Sequence, residues 1–499
     1  MKNRKAIGKF VALLLCGILL AGVVVGIVFA VSYFRITIEF DLDNRMQRVQ
    51  GFGASSAWTF QKLGMEEDGE FKDGITDMLY GNDGLKLTEF RYNIGAGGKE
   101  SDAYADPLRG AESYFVADRF MGDYSAFEDE SNYDFERDAG VRDMFERALA
   151  SGNVKRVVFF SNSPHFLMTE NGRTHGEYEN HNNLKEECYE AYSNYLIVIA
   201  NYLYKNVVCK YNPQISISIS PFNEPQWSWS GEASTQEGCH FDPIPLAKFS
   251  DTFYRILSQF NAANGTHFEM DIFESACCKL DMAQSYIEEL SKYEWFSSLN
   301  TLSVHSYITE DNIDARKEFR QYLQPSIDVC VSEYCVMKNG IDTSIDMGII
   351  SAGIMLRDLE YLNAVAWNWW LAVSCGDYED GLVYWNKDSQ NQNTAFTTKR
   401  FYTFGQFSRF VTGAEHIAIK VKSSVKSSVD QIGFLHDDGS IVYIVVNYDN
   451  TEKHIKIKGF SGEVEETVTD ALNDWKQTSY HYSGELTVGA KSVTTYVLK

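Results

Sequence analysis

Residues Ile215 to Trp229, ISISISPFNEPQWSW, decide how the rest of the chain is read. Strict Ile/Ser alternation has the period of two that belongs to a β-strand. Pro221 breaks the pattern, and Asn223, Glu224, Trp227 and Trp229 follow at once. A strand that delivers an amide, a carboxylate and two indoles at its carboxyl end has the geometry of an active site on a parallel β/α barrel. Taken alone, Asn-Glu-Pro reads equally well as an acidic loop behind a buried strand. A second strand-end carboxylate tips the balance toward chemistry.

That second carboxylate is Glu333, at the end of the apolar run Ile327-Asp328-Val329-Cys330-Val331-Ser332-Glu333-Tyr334. Between residues 50 and 410, strand patterns and helical spacings alternate. Strands are predicted to end near Ser55, Asn93, Asn162, Glu224, Glu274, His305, Glu333 and Trp370. Helical stretches include Cys188 to Val208, Leu246 to Phe260, Met282 to Tyr293 and Ile345 to Leu362. Eight such units define a (β/α)8 barrel with long loops. A doubly wound open sheet is disfavoured, because no Gly-rich phosphate loop follows the first strand. Glu224 then ends strand four and Glu333 strand seven, on the same face of the barrel.

From about residue 411 the helical period vanishes. Ile432-Gly433-Phe434, Ile441 to Val446, Ile455-Lys456-Ile457 and Thr494 to Leu498 alternate instead, with Asp438-Gly439 as a hairpin turn signal. Residues 411–499 are therefore predicted to form a small antiparallel β-sandwich, joined by residues 35–49, which also alternate and read as an antiparallel strand. The insert from Gly98 to Asp138 is long, acidic and aromatic and follows strand two, so it is expected over the barrel mouth as a wall or lid.

Lys2, Arg4, Lys5 and Lys9 give residues 1–9 four positive charges, and an uncharged apolar run, residues 10–34, follows. Twenty-five such residues are enough to span a bilayer with some tilt. The basic flank stays cytoplasmic by the positive-inside rule, so the expectation is a transmembrane signal-anchor with the remainder outside the cell, or a secreted chain if the segment is cut. Beyond the anchor, 41 basic side chains face 69 acidic ones, a net charge of −28. Nucleic acid is an unsuitable partner for that surface, because phosphate binding needs basic side chains. Of nine cysteines, eight lie outside the anchor, in no metal-ligand spacing; no metal or cofactor is expected, and outside the cell some could pair.

Two carboxylates facing one cleft are the minimum apparatus for cleaving a glycosidic bond: one protonated to donate to the leaving oxygen, the other ionised to attack C1. Arg91, on strand two, reads either as a buried ion pair or as a fixed cation that lowers the pKa of Glu333. Tyr307 and Tyr334 are placed to orient that carboxylate, and His305, ending strand six, is either a satisfied core histidine or a sugar ligand. Glu274 and Glu89 read as structural, since neither has an adjoining Asn or Tyr. Trp58, Trp227, Trp229 and Trp370 are candidate stacking platforms, and 29 Tyr, 32 Phe and 9 Trp in the chain suit sugar faces as well as thick cores. Trp367 and Trp369 occupy the opposite strand face from Trp370, so one of these sets is core.

Gln50-Gly51-Phe52-Gly53, Arg91-Tyr92-Asn93-Ile94-Gly95, Ser161-Asn162-Ser163-Pro164, Met168-Thr169-x-Asn171-Gly172, Phe222-Asn223-Glu224-Pro225, Ser332-Glu333-Tyr334 and Trp367-Asn368-Trp369 resemble glycoside hydrolase family 30, in the family's order. Asn223 to Trp229 followed by Gln236-Glu237-Gly238-Cys239 is most similar to its endo-β-1,6-galactanase-like branch. His165-Phe166 departs from relatives, which often carry a second proline and a large aromatic there. The resemblance implies a (β/α)8 barrel with an attached β-sandwich and a retaining double displacement, with Glu224 as acid/base and Glu333 as nucleophile. It also implies sugar contacts from Arg91, Asn223, His305, Tyr307 and the strand-eight tryptophans. The expected substrate is a β-linked polysaccharide, above all β-1,6-galactan. A β-1,6-glucanase or β-xylanase on the same scaffold is the enzyme alternative. A non-catalytic surface glycan-binding protein is the alternative of another class, against which the retained glutamate pair argues.

Overall fold

The polar/apolar alternation of Ser216–Ser220 is realised with both faces buried from Ile217 onward. Ile217 and Ile219 face the surrounding helices, while Ser218 and Ser220 face a barrel interior that is itself polar. A buried parallel strand usually reads as a continuous apolar run. Here the interior is filled by hydroxyls and ion pairs, so the alternation survives burial. The computed structural model describes residues 35–101, 109–231, 235–309, 311–422 and 429–499. The expected basic tail and membrane anchor, residues 1–34, lie outside the described residues, among which no helix is long and apolar enough to cross a membrane.

Within Met46–His416, eight staves run in parallel. They are Gly51–Ser55, Glu89–Asn93, Arg156–Phe160, Ser216–Ser220, a fifth in two pieces (Glu269–Met270 and Ile272–Ser275), Thr301–His305, Asp328–Glu333 and Ala364–Ser374. The first pairs with the eighth, Gly51 opposite Ala366 and Gly53 opposite Asn368. The fifth stave closes the ring in two halves: Glu269 and Met270 pair with Ser218 and Ile219, and Ile272 pairs onward with Leu302. At the break, the Asp271 carboxylate accepts from Arg156 Nη2 (2.9 Å) and from Ser303 Oγ. Burial pushes the Asp271 carboxyl up to about 6, against the pull of Arg156. Gly53 is required by close approach: a Cβ there would lie 2.1 Å from Asn368 Oδ1 and 2.6 Å from the Glu89 carbonyl oxygen.

The helices between staves follow the expected spacing: Tyr189–Leu203, Pro243–Asn264, Leu280–Leu290 and Ile345–Tyr361. Pro243 opens the second of these in the first turn, and Gly265 in the left-handed conformation (φ 65°) ends it. Beyond the eighth stave the sheet is extended by Gly381–Lys387 and its antiparallel partner Asn393–Thr397. The described part of the aromatic insert packs on itself and on a neighbouring helix. Phe115 stacks on Phe127 at 3.9 Å, and Phe135 stacks on Tyr202 of Tyr189–Leu203 at 3.5 Å. Its stretch 102–108 lies outside the described residues.

The other compact unit takes the chain up to Arg45 and again from Ile417. Its nine-stranded sheet runs Lys476–His481, Glu463–Thr469, Ser492–Leu498, Ile441–Asn447, Val429–Leu435, Glu415–Lys422, Arg35–Arg48, Lys453–Ile457, Leu486–Val488. Ile38, Tyr443, Val445, Ile455, Leu486 and Tyr496 meet in its core. The hairpin at Asp438-Gly439 forms as its residues dictate, with Gly439 at φ 85° and Leu435 opposite Ile441. Arg35–Arg48 has a different neighbour on each side: it pairs in parallel with Lys453–Ile457 over Arg35 to Ile38, while the reciprocal bonds of Val49 with Gly413 and Ala414 lead into the antiparallel run expected beside Glu415–Lys422. Alternation reports a half-buried strand and is silent on the direction of its neighbour. The eight cysteines beyond the anchor are all free thiols.

Candidate active site

All staves point their carboxyl ends the same way, which gathers residues from five of them. Arg91 lies on the second, Glu274 on the fifth, and His305 and Glu333 end the sixth and seventh. Asn223 and Glu224 stand in the turn just past the fourth. Glu224 sits there with a left-handed backbone (φ 45°), and its N–H donates to the carbonyl of Glu274 (2.9 Å), itself left-handed at φ 44°. Non-glycine residues adopt that region at a cost, so both are held by their surroundings.

Arg91 and His305 organise the cluster. Arg91 Nη1 donates to Glu333 Oε2 at 2.6 Å, and Nη2 lies 3.4 Å from both Asn223 Oδ1 and Glu274 Oε2. The guanidinium lies 3.7 Å over the Phe160 ring, and Trp370 stands 5.8 Å away. His305 uses both ring nitrogens: Nδ1 faces Glu224 Oε1 (3.0 Å) and Nε2 faces Glu274 Oε2 (2.9 Å). Burial alone would strip this imidazole of its proton, but Glu333, Glu224 and Glu274 together raise it to about 10, so it is an imidazolium with two N–H donors.

Burial would likewise raise the Glu274 carboxyl. Arg91, His305 and the Ser332 hydroxyl overcome it and hold the group at about 2. Burial pushes Glu333 above its ordinary range against the pull of His305 and Arg91, with Glu224 adding to the rise. The reading of Arg91 as a buried partner that lowers the Glu333 pKa holds in direction, but burial outweighs it. Desolvation of a nearly inaccessible carboxyl outweighs one guanidinium, although that guanidinium still favours the anion. Two cations face three carboxylates, and the buried set is neutral when one carboxyl is protonated. Since Glu274 is held at about 2, it does not carry that proton.

The remaining sequence-predicted residues divide. Tyr307 Oη donates to Glu333 Oε1 (3.1 Å). Trp370 lies by Arg91 and meets Trp58 edge-to-face at 5.2 Å, and the Trp58 Nε1–H is buried without a partner among the described residues. Arg109, returning from the insert, lies 5.1 Å from the Trp58 ring. Trp227 is 39% exposed on the loop after the fourth stave. Trp229 turns back and donates Nε1–H to the Glu224 carbonyl (2.9 Å), bracing that turn. Trp367 and Trp369 form the core set: Trp367 donates to buried Asp358 (2.8 Å), and Trp369 lies 5.1 Å from the Arg400 guanidinium. Tyr334 packs against these two rings. Glu237 accepts backbone N–H groups from Ala96, Gly98 and Ala111 (3.2, 2.8 and 3.2 Å), tying the loop after stave four to the loop after stave two. Sequence reading missed Glu274 as a member of the site, although its place at the end of a strand-like run was the available signal.

Glu224, His305 and Glu333 bring one potential ligand atom each within 4.8 Å of one another. A cation would need a lone pair from His305, and the imidazolium spends both nitrogens on carboxylates. The same measurement places an oxygen of Glu224 and an oxygen of Glu333 within 4.8 Å, which is the arrangement of a glycoside-cleaving pair.

A parallel barrel with two facing carboxylates at its carboxyl-terminal mouth defines a class of glycosidases. The chain belongs to O-glycosyl hydrolase family 30: the family's profile matches residues 35–384, and the family's β-sandwich domain matches residues 413–496. It is a glycoside hydrolase. An endo-β-1,6-galactanase of Hypocrea rufa is 25% identical over 399 residues, covering 75% of this chain and 74% of that protein. Among solved structures, a conserved exported protein from Bacteroides fragilis superposes with a TM-score of 0.79 at 22% identity, over 93% of this chain and all of that one. The catalytic domain of a family 30 xylanase from Talaromyces cellulolyticus does so at 0.69 and 19% identity, again over 93% of this chain and 100% of that chain. An endo-β1,6-glucanase gives 0.64 at 16%, with 93% of each chain covered.

Proposed function

We propose that the chain is a retaining endo-β-1,6-galactanase in which Glu333 is the nucleophile and Glu224 the acid/base. The observation that carries the mechanism is that one oxygen of Glu224 and one of Glu333 lie within 4.8 Å of each other. Retaining enzymes hold their carboxyl groups about 5–5.5 Å apart, and inverting enzymes need about 6.5–9.5 Å to admit a water. The hydrogen bonds support the division of roles. Both oxygens of Glu333 accept, from Arg91 and from Tyr307, which orients an anion. Glu224 has one side-chain partner among the described residues, His305, so its second oxygen is available to carry a proton.

In the first step a Glu333 oxygen bonds to C1 while the C1–O bond to the leaving sugar breaks, and the leaving oxygen takes the Glu224 proton. In the second, Glu224 as carboxylate takes a proton from water, the water oxygen bonds to C1, and Glu333 leaves as carboxylate. Two inversions give net retention. The Asn223 carbonyl oxygen is occupied by Arg91, which presents the amide N–H groups to the sugar 2-hydroxyl, a contact that strengthens as the oxocarbenium ion develops.

The choice of galactan rests on the Hypocrea rufa relative and on the motif from Asn223 to Cys239. We also infer an outward-facing, membrane-tethered enzyme from the pattern of residues 1–34. Proton NMR of a digest of β-1,6-galactan tests the proposal, with β-1,6-glucan and β-1,4-xylan alongside and products resolved by linkage. The expected result is galactan cleavage with the β-anomer appearing first. An α-anomer appearing first overturns the mechanism, and faster cleavage of either other polymer overturns the substrate. Failure of a 2-fluoro glycoside of any of these sugars to label Glu333 would favour the glycan-binding alternative.

A further inference from the structure

Glu274 is fully buried and makes more polar contacts than either facing glutamate. It accepts from Ser220 Oγ (3.1 Å), Ser332 Oγ, His305 Nε2 (2.9 Å) and Arg91 Nη2 (3.4 Å). Burying a carboxylate this deeply is costly unless its charge is used. Two independent routes lead from it to Glu224. One runs through side chains: Glu274 Oε2 to His305 Nε2–H, then His305 Nδ1–H to Glu224 Oε1 (3.0 Å). The other is direct, from the Glu274 carbonyl oxygen to the Glu224 N–H (2.9 Å), which pins the left-handed turn carrying that carboxyl.

We propose that Glu274 is a positioning residue for proton donation: its negative charge keeps His305 an imidazolium aimed at Glu224, so that the charge left on Glu224 when its proton departs is met by a fixed cation. This rests on Glu224 being the acid/base. At the moment the glycosidic bond breaks, the Glu224 O–H bond breaks, its proton goes to the leaving oxygen, and the new carboxylate faces His305 Nδ1–H at 3.0 Å. No proton leaves His305, so the imidazolium acts as a preorganised charge. A neutral residue at 274 would preserve the hydrogen-bond shape and lose the charge that holds the imidazolium. Because Glu274 also lies 3.4 Å from Arg91, the test must separate an effect on the acid from an effect on the nucleophile.

The experiment measures kcat/KM for Glu274→Gln, Glu224→Gln and the parent enzyme on aryl β-glycosides with leaving groups from 2,4-dinitrophenyl to phenyl. The aryl glycosides are built on whichever of β-1,6-galactobiose, β-1,6-glucobiose or β-1,4-xylobiose the parent cleaves fastest. Dinitrophenolate leaves without a proton, whereas phenolate needs one. The expected result is a loss for Glu274→Gln of up to about 100-fold on the phenyl glycoside, no more than the lower end of what general acid catalysis contributes, and under about 3-fold on the dinitrophenyl glycoside. Equal losses across the series overturn the proposal, since they would place the effect on Arg91 and Glu333 or on folding. Should Glu274→Gln fail to fold, His305→Gln cuts the same link one residue further on and carries the same comparison. The assignment of Glu224 is read separately: if Glu224→Gln itself shows no dependence on leaving group, the acid/base role fails first.

Discussion

The side chains that matter most are few, and their chemistry is set by neighbours from other staves. Glu333 is buried and fixed by Arg91 and Tyr307, and Glu224 faces it with one oxygen engaged by His305. Glu224→Gln should lower kcat on polysaccharide by about 10²–10⁴-fold, the range for a lost acid–base group. Glu333→Gln should lower it at least as much, because the covalent route is lost. Both variants should melt as cooperatively as the parent in circular dichroism; near-normal hydrolysis by either would remove that residue from its role. His305 shows the limit of reading a residue alone. Strand-end position marked it as a candidate, but its charge arises from Glu224, Glu274 and Glu333, which lie 81, 31 and 28 residues away along the chain. Only folding brings them within reach.

Among the elements, the first stave and the helix Ala139–Ala150 carry distinct predictions. Gly53→Ala would drive a Cβ into Asn368 Oδ1 and the Glu89 carbonyl, the latter backbone that cannot swing aside. A loss of at least about 1–3 kcal/mol, as for overpacked cores, is expected in urea unfolding. Asp138 precedes the helix with a left-handed backbone (φ 52°) and accepts from Tyr92 Oη at 2.7 Å; burial pushes its carboxyl up to about 7. A carboxyl raised by burial gives stability that is complete below its unfolded value of about 4 and is lost as pH climbs through about 7. Asn tolerates the same backbone and cannot ionise. Asp138→Asn should therefore gain on the parent in urea midpoint as pH rises from about 4 to about 8; a pH-independent difference would contradict this. The order of strands and helices was legible because period two and period 3.6 are local. The parallel neighbour of Arg35–Arg48 was not, since pairing partners are chosen by tertiary packing.

For the molecule as a whole, the net charge of −28 beyond the expected anchor acts at range. A neutral polysaccharide is indifferent to it, whereas a polyanion is repelled until salt screens the field within about 8 Å at physiological ionic strength. The KM for a neutral β-1,6-galactan should stay flat between about 0.02 and 0.3 M salt, while that for a carboxymethylated galactan should fall. Initial rates at each salt concentration check this, and a flat response for both polymers would show that the cleft does not feel the surface charge.

The amino-acid sequence by itself determined the eight-stave rhythm, the β-rich carboxyl-terminal region and the two strand-end glutamates, because each is written in short-range periodicity or in a contiguous motif. Tertiary structure alone decided that Glu274 joins them, that His305 is a cation, that Trp367 and Trp369 are core while Trp370 lies by Arg91, and that burial outweighs Arg91 at Glu333. The physical reason is that charge state and exposure depend on distances between residues remote in sequence, and those distances exist only once the ring of strands has closed.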